Sequence, residues 1–537
     1  MKRTLLAIAL SSLALVSLAG GIVHNTNQSA SFIRMPARDA SLGLDAAYYN
    51  PAGLVFLKDG FHISLSNQYI TQTRNIKTTF PGLNRTKFEG GVTVPLFPSV
   101  YAVYKMDKLA FSVGFNPIGG GGSAKFEDGL PSFEMQVAGI PGSLNQGGIP
   151  TSKYSYETEF EGSSAYYGIQ AGASYKVNDV LSLSLGLRYV IVKNSYQGYL
   201  SDIMINPQFP QLNYTGEEMV KAPVFFTELS GYLANVSAQL GATGNSLQPI
   251  IDGGGGSVPL SQGTNAGLTA QQVATLQGTI TALGGDPSNM TIAQVQGFFG
   301  AASTSYEANS QAMSANAQAT ADKKVDADQS GSGIVPIIGA NLSFDRLNIG
   351  IKYEHKAKIK VKNATTIDDV GLYPDGLETP SDIPSMLSIG VGFKATDKLK
   401  VSGGVHYYFD KGAEYGKKLN GEFVKNDKVM DKNFWELGLG LEYEINEQWL
   451  VSAGYLRTQT GVMDLYQTDL SHSLSTNSIA GGLRYMATEK IGINFGVMNT
   501  MYLENKRDFS SAGLNPAYTE TYNRKAFTVA LGVDISF

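Results

Sequence analysis

The chain has 537 residues, a formal net charge of -5, no cysteine and only 16% charged side chains, against 61 glycines, 28 tyrosines and 25 phenylalanines. The charge balance excludes a basic nucleic-acid footprint, and the missing cysteines exclude a disulfide framework or a thiolate metal site. The composition is too apolar for a disordered chain, yet after the first twenty residues no apolar run reaches the roughly 20 residues that a membrane-spanning helix needs, so the remaining membrane option is a closed β-barrel.

Residues 1–19 carry Lys2 and Arg3, an apolar core from Leu5 to Leu18, and small residues at Ser17-Leu18-Ala19. That is the pattern of a secretory signal peptide cut after Ala19, too short for an anchor and followed by no lipobox cysteine. Residues 20–58 are rich in small side chains and contain Asn50-Pro51-Ala52-Gly53. Pro pre-sets φ there and Gly supplies a positive φ, the chemistry of a turn.

From residue 60 onward the dominant period is two, the mark of strands with unlike faces. Residues 180–192 show it best, with Leu181, Leu183, Leu185, Leu187, Tyr189 and Ile191 on one face and Ser182, Ser184, Gly186 and Arg188 on the other. Comparable runs at 61–73, 98–106, 108–117, 164–177, 333–344, 347–361, 385–395, 398–410, 433–446, 448–458, 473–487, 490–503 and 523–537 predict about fourteen strands. Short turns at 106–108, 178–179, 345–346, 396–398, 446–447 and 488–489 alternate with long polar connections. This alternation predicts an all-β transmembrane fold, an antiparallel outer-membrane barrel over 59–537 with both termini on the periplasmic side.

Arg188, Lys352, Glu442 and Arg484 all fall on the non-lipid parity, as they must where a lipid-facing Arg or Lys near the midplane costs about 2–4 kcal/mol. Tyr189, Tyr353, Tyr407, Tyr443, Trp449 and Tyr485 suit an interfacial girdle. The last strand ends on Phe537, similar to the terminal signal read by the barrel assembly machinery, which makes that machinery an expected partner alongside outer-membrane lipid and lipopolysaccharide.

Residues 196–332 interrupt the pattern. Helices are predicted over 217–240, 269–283 and 291–321, with capping boxes at Thr269/Gln272 and Thr291/Gln294. Val273, Leu276, Ile280 and Leu283 form one apolar stripe. Lying on the long-loop side, this insert is expected as an extracellular cap over the barrel mouth. The glycines at 253–256 follow no strand and precede no Lys-Ser/Thr, so they read as a linker rather than a phosphate loop.

With these elements in place the chain resembles the outer-membrane long-chain fatty acid transporters of the FadL/TodX type. The resemblance rests on Ser41-Leu42-Gly43 through Asn50-Pro51-Ala52-Gly53, which look like that family's Asn-Pro-Ala hatch signature ahead of the first strand. It rests also on Ile383-Pro384-Ser385-Met386-Leu387-Ser388-Ile389-Gly390, a Pro-led strand after a long loop. It implies a hatch at 20–58 that plugs the barrel, with Asn50, Pro51, Ala52 and Gly53 as its signature. It also implies a kinked third strand that opens a lateral path into the membrane, here at Asn116, Pro117, Gly119 and Gly120, where Pro removes a ladder donor and glycines permit a bulge. The longer insert and different loop chemistry depart from better-known members and bear on the ligand.

The function this implies is passive uptake of hydrophobic molecules, above all long-chain fatty acids, into the bacterial outer membrane. The alternatives are aromatic hydrocarbons by the same route, or an adhesin or receptor barrel. Candidate lining residues are Ile22, Val23, Phe32, Ile33 and Met35, with Phe225, Phe226, Phe298 and Phe299 gathering ligand in the insert. Arg188 and Arg484 are the first candidates for a carboxylate partner and Lys352 and Arg524 the next; salt bridges to Asp45, Glu354 or Glu442 that seat the hatch are the competing role. His24, His62, His355, His406 and His472 show no metal spacing and no Gly-x-Ser-x-Gly elbow is present, so no enzyme, metal or cofactor is expected.

Overall fold

The structure, a computed structural model, describes residues 26–416, 418, 419, 422–509 and 517–537. The expected leader at 1–19, with Ile22, Val23 and His24, lies outside the described residues. Residues 133–157 and 200–322 form one compact unit and the rest of the described chain forms the other.

The larger unit is a closed antiparallel barrel of fourteen strands. The first seven are β1 (Gly60–Thr78), β2 (Lys87–Met106), β3 (Leu109–Phe126), β4 (Tyr154–Lys176), β5 (Leu181–Ile205), β6 (Lys323–Ser343) and β7 (Leu347–Glu354). The other seven are β8 (Met386–Lys394), β9 (Leu399–Tyr408), β10 (Trp435–Glu444), β11 (Trp449–Gln459), β12 (Thr476–Thr488), β13 (Ile491–Tyr502) and β14 (Thr519–Ser536). The barrel closes because β1 pairs with β2 on one side and with β14 on the other.

The two faces of β5 show which medium surrounds it. Leu185 is 68% exposed while Arg188, three residues on, is 1% exposed. A soluble protein would reverse these two. Leu65, Phe111, Val113, Ile338, Leu439, Ile479 and Leu531 are likewise exposed. Tyr189, Tyr407, Tyr443 and Trp449 also face outward. Among the described residues no helix is long and apolar enough to cross a membrane. An apolar exterior around a polar interior makes this an outer-membrane barrel.

Several strands run beyond their apolar stretches. β2 begins at Lys87 rather than 98, β5 continues to Ile205 and β6 starts at Lys323, so the strand-free insert is shorter than 196–332. The extensions carry polar side chains such as Asn194, Gln197, Asp326 and Asp328, and backbone pairing holds them without the period-two signal. Where β7 stops at Glu354, a separate strand, Lys360–Asp368, takes over the pairing with β6.

Ahead of β1 lie two short helices, α1 (Ala30–Arg34) and α2 (Ala46–Tyr49), and a 3-10 turn over Pro51–Phe56. The smaller unit is built on α3 (Pro131–Gln146), α4 (Ala222–Asn245), α5 (Ala270–Ala282) and α6 (Ile292–Ala319). Both expected capping boxes form with their reciprocal bonds. α4 and α6 meet along a seam of small residues, where Ser230 and Ser310, then Ser237 and Ser303, each donate to the other's carbonyl at 2.8–2.9 Å. Phe225, Phe226 and Phe299 are fully buried inside this unit and Phe298 packs against its core. The three buried rings hold the helices together rather than presenting a surface to ligand, while Phe298 is half-buried at the edge of that core.

Candidate functional site in the barrel interior

The N-terminal segment runs through the barrel and touches its inner wall. Inward glycines make the room. A Cβ on Gly496 would sit 2.6 Å from the Arg34 nitrogen, one on Gly532 3.0 Å from the Ala30 Cβ, and one on Gly390 2.5 Å from the Ala40 nitrogen. Gly350, Gly404 and Gly440 would likewise strike Asp39 or Met35. The high glycine content is thus a fitted groove around residues 30–40 as well as a source of turns.

The first three residues of the Asn-Pro-Ala-Gly tetrapeptide are each bonded to the wall. Asn50 Nδ2 donates to Asn341 Oδ1 at 2.7 Å and to the Ser41 carbonyl at 3.1 Å. The Pro51 and Ala52 carbonyls accept from Ser174 and Ser182 hydroxyls at 2.7 and 2.6 Å. Gly53 is needed for closeness rather than for a positive φ: a Cβ there would lie 2.7 Å from both Asn50 Nδ2 and the Ser41 carbonyl.

Charged residues complete the seating. Arg38 forms a fork with Asp45 at 2.7 and 2.9 Å, and Arg34 pairs with Glu442 at 2.8 Å. Asp39 lies between His406 at 2.6 Å and Ser388 at 2.8 Å. Burial alone would raise the Asp45 carboxyl, but Arg38 and the Ser41 hydroxyl outweigh it and hold the pKa below the usual range.

The third strand is irregular at the expected place. Against β4 its register slips between Pro117 and Gly119 and again between Gly120 and Gly122, so Ile118 and Gly121 are extra residues. Gly120 and Gly122 have φ of 93° and 70°, a region that side chains disfavour. Against β2 the ladder holds from Leu109–Met106 to Phe115–Val100 and returns only at Lys125–Gly91; no pairs join the described residues between. Asn116 lies seven residues along from Leu109, about 23 Å of strand, which at a tilt of roughly 40° is about 18 Å of height, inside the apolar band of about 25 Å. Unpaired backbone at that depth is tolerated only where it is buried in protein or lines a cavity. Here the N-terminal segment reaches it: Gln28 Nε2 donates to the Pro117 carbonyl and Asn116 Nδ2 donates to Gln28 Oε1, both at 2.8 Å.

Beside the break lies a cavity of about 400 Å³. Val92, Val94 and Phe97 from the unpaired stretch of β2 line it, with Gly120 and Gly122 of β3 opposite. Phe32 of the N-terminal segment, Ile70, Phe434, Leu456 and Met498 add apolar surface; Arg74, Arg524 and His472 line it too, as do the carboxylates of Glu436 and Asp469 and several Ser and Thr hydroxyls.

The structure separates the residues expected to bind ligand. Phe32 reaches the cavity. Ile33 and Met35 are fully buried against the wall instead. Arg188 is not free for a ligand: it donates to Glu354 at 2.5 and 2.9 Å and to Gln170 at 2.7 Å, over the Tyr48 ring. Lys352 bonds the same Glu354 at 2.8 Å and the Tyr48 carbonyl at 2.7 Å. Arg484 has no place on the cavity wall; it sits near Arg34 of the N-terminal segment, and its Nε is buried with no acceptor among the described residues. Sequence reasoning missed Arg74. Its signal was present in the polar face of the first strand, but the partner that gives it meaning lies 450 residues on.

No family model matches the chain, and no curated protein matches it. Solved structures share its fold. One is a Pseudomonas aeruginosa FadL homologue, 14% identical, matched over 97% of this chain and 99% of that one with a TM-score of 0.54. Another is the TodX deltaS2S3 mutant, a monoaromatic hydrocarbon channel, 11% identical over 97% and 100% of the two chains with a TM-score of 0.50. The likeness to the FadL/TodX type is therefore one of fold across the whole described barrel.

Proposed function

We propose that this barrel carries hydrophobic molecules across the outer membrane by passive diffusion, with residues 26–58 as a plug, the cavity as the binding chamber and the break between β2 and β3 as a lateral exit into the bilayer. The observation that carries the reading is the coincidence of the three. Unpaired β2 residues line the chamber, and the plug residue Gln28 is bonded to the kink. A ligand in the chamber would therefore have the unpaired stretch of wall, closed by Val94 packed on Gly122, on one side and the plug on another.

Long-chain fatty acids are the ligand class this arrangement suits best. Burying a sixteen-carbon chain at about 0.8 kcal/mol per methylene is worth on the order of 12 kcal/mol before association costs, so apolar lining sets affinity and a cationic wall selects the head group. Aromatic hydrocarbons are the second reading, favoured by the shared fold of a monoaromatic hydrocarbon channel.

The test is lipid extraction and mass spectrometry of protein purified in mild detergent, paired with density for the barrel interior. An elongated density beside Phe32 with a matching fatty acid in the extract supports the reading. A chamber filled by side chains, with no copurifying lipid and no saturable binding of added palmitate or toluene, overturns it.

A further inference from the structure

The seam that closes the barrel sets Arg74 of β1 directly opposite Arg524 of β14. Like charges at opposed positions repel, and both side chains face the chamber. Neither guanidinium is paired with a carboxylate among the described residues. Arg74 Nε donates to Gln72 Oε1 at 2.9 Å. Arg524 donates through Nε to His472 Nε2 at 3.1 Å and through Nη2 to the His472 carbonyl at 2.6 Å. Both terminal nitrogens of Arg74, and Nη1 of Arg524, are left without a protein acceptor among the described residues.

The neighbours that hold the pair are neutral. His472 accepts from Arg524 at Nε2, so its proton sits on Nδ1, which faces the Thr468 carbonyl at 3.2 Å. Burial, then the two guanidiniums, push its pKa well below the ordinary value. Its ring stacks on Tyr522 with centroids 4.8 Å apart, and Gln72 is fixed by the Tyr502 hydroxyl at 3.1 Å. Two guanidiniums without a carboxylate partner thus face the chamber: Arg524 lies over the Tyr502 ring at 5.9 Å, and the carboxylates that also line the cavity, Glu436 and Asp469, are engaged by His406 and by the Ser132 backbone. An uncompensated charge at low dielectric is costly, and a pair of them more so.

We propose that Arg74 and Arg524 together form the site for the oxyanion head group of a single-chain amphiphile, with His472 and Gln72 as positioning residues. The inference rests on the reading of the cavity as the ligand chamber. The charged forks select the acid, and the surrounding Val, Phe and Met side chains take its chain.

The experiment measures binding of palmitate, dodecyl sulfate and the neutral 1-hexadecanol to the full-length protein in a non-ionic detergent. Wild type is compared with Arg74→Gln, Arg524→Gln and Arg524→Lys. The expected result is a loss of about tenfold or more for both anions in each Gln variant, equivalent to about 1.4 kcal/mol, with hexadecanol within about twofold and the Lys variant retaining most anion binding. Equal loss of hexadecanol and palmitate in the Gln variants, with heat-resistant migration unchanged, overturns the head-group site but leaves the transport reading standing. Failure of wild type to bind any of the three overturns both. Loss of palmitate alone, with dodecyl sulfate bound as before, overturns the oxyanion assignment in favour of a site specific to carboxylates.

Discussion

Arg188 of β5 and Glu354 of β7 join inside the barrel through two hydrogen bonds of 2.5 and 2.9 Å, across the intervening β6. Lys352 bonds the same carboxylate, and the Tyr48 ring of α2 lies against both cations. This cluster clamps α2. Removing one member of a buried pair leaves the other uncompensated, at about 3–5 kcal/mol. Arg188→Ala should therefore lower the temperature at which heat-resistant migration is lost and weaken acid and neutral ligands alike. Selective loss of the acid would return Arg188 to the head-group role.

The plug should carry a measurable block. Deleting residues 21–53 empties the glycine-lined groove around Ala30–Ala40 while leaving every barrel strand intact. Single-channel recording in planar bilayers should show a folded barrel of larger conductance. An unchanged conductance would mean that another segment fills the lumen.

The Arg38–Asp45 fork makes plug seating insensitive to mild acid. A carboxyl held below its unfolded value stabilises the fold at every pH above about 3.9 and loses that contribution as pH falls through the folded pKa. Conductance should stay flat from pH 7 to about pH 4.5 and rise only in stronger acid. Asp45→Asn should raise it already at pH 7.

Asp410 behaves in the opposite sense. It lies just past β9, fully buried, and accepts from the Phe434 backbone at 3.2 Å. Burial raises its carboxyl to about 7 despite that bond. An acid held above its unfolded value of about 3.9 costs stability as pH rises from there to 7, after which the cost is constant. The protection of residues 422–434 against hydrogen exchange, corrected for the intrinsic pH dependence of amide exchange, should fall between pH 4.5 and 7 and then level off; this segment includes the chamber residue Phe434. Asp410→Asn should flatten the curve.

Each expected strand overlaps an observed one because a period of two is local and lipid outside the wall sharpens it: Leu185 and Arg188 differ in face by parity alone. The helices of the smaller unit were legible from Thr269/Gln272 and Thr291/Gln294, whose bonds span three residues. α3 was not, since Pro141 inside it and glycines around it mimic a loop. Within the barrel, parity put Arg188, Lys352 and Glu442 indoors, but their partners follow from register across strands. Glu354 is 166 residues from Arg188. For the same reason Arg74 gave no sign of facing Arg524, and Gly53 read as a turn residue until Ser41 was seen packed on it.

The most direct test of the lateral route is palmitate uptake by cells whose sole such barrel is wild type or a variant lacking Ile118 and Gly121. Those are the two extra residues of the β3 bulges, and removing them restores one-to-one pairing with β4 and straightens the strand toward β2. The account predicts uptake reduced at least tenfold with heat-resistant migration preserved. Wild-type uptake through a folded variant whose β2–β3 ladder is continuous in a solved structure would contradict it.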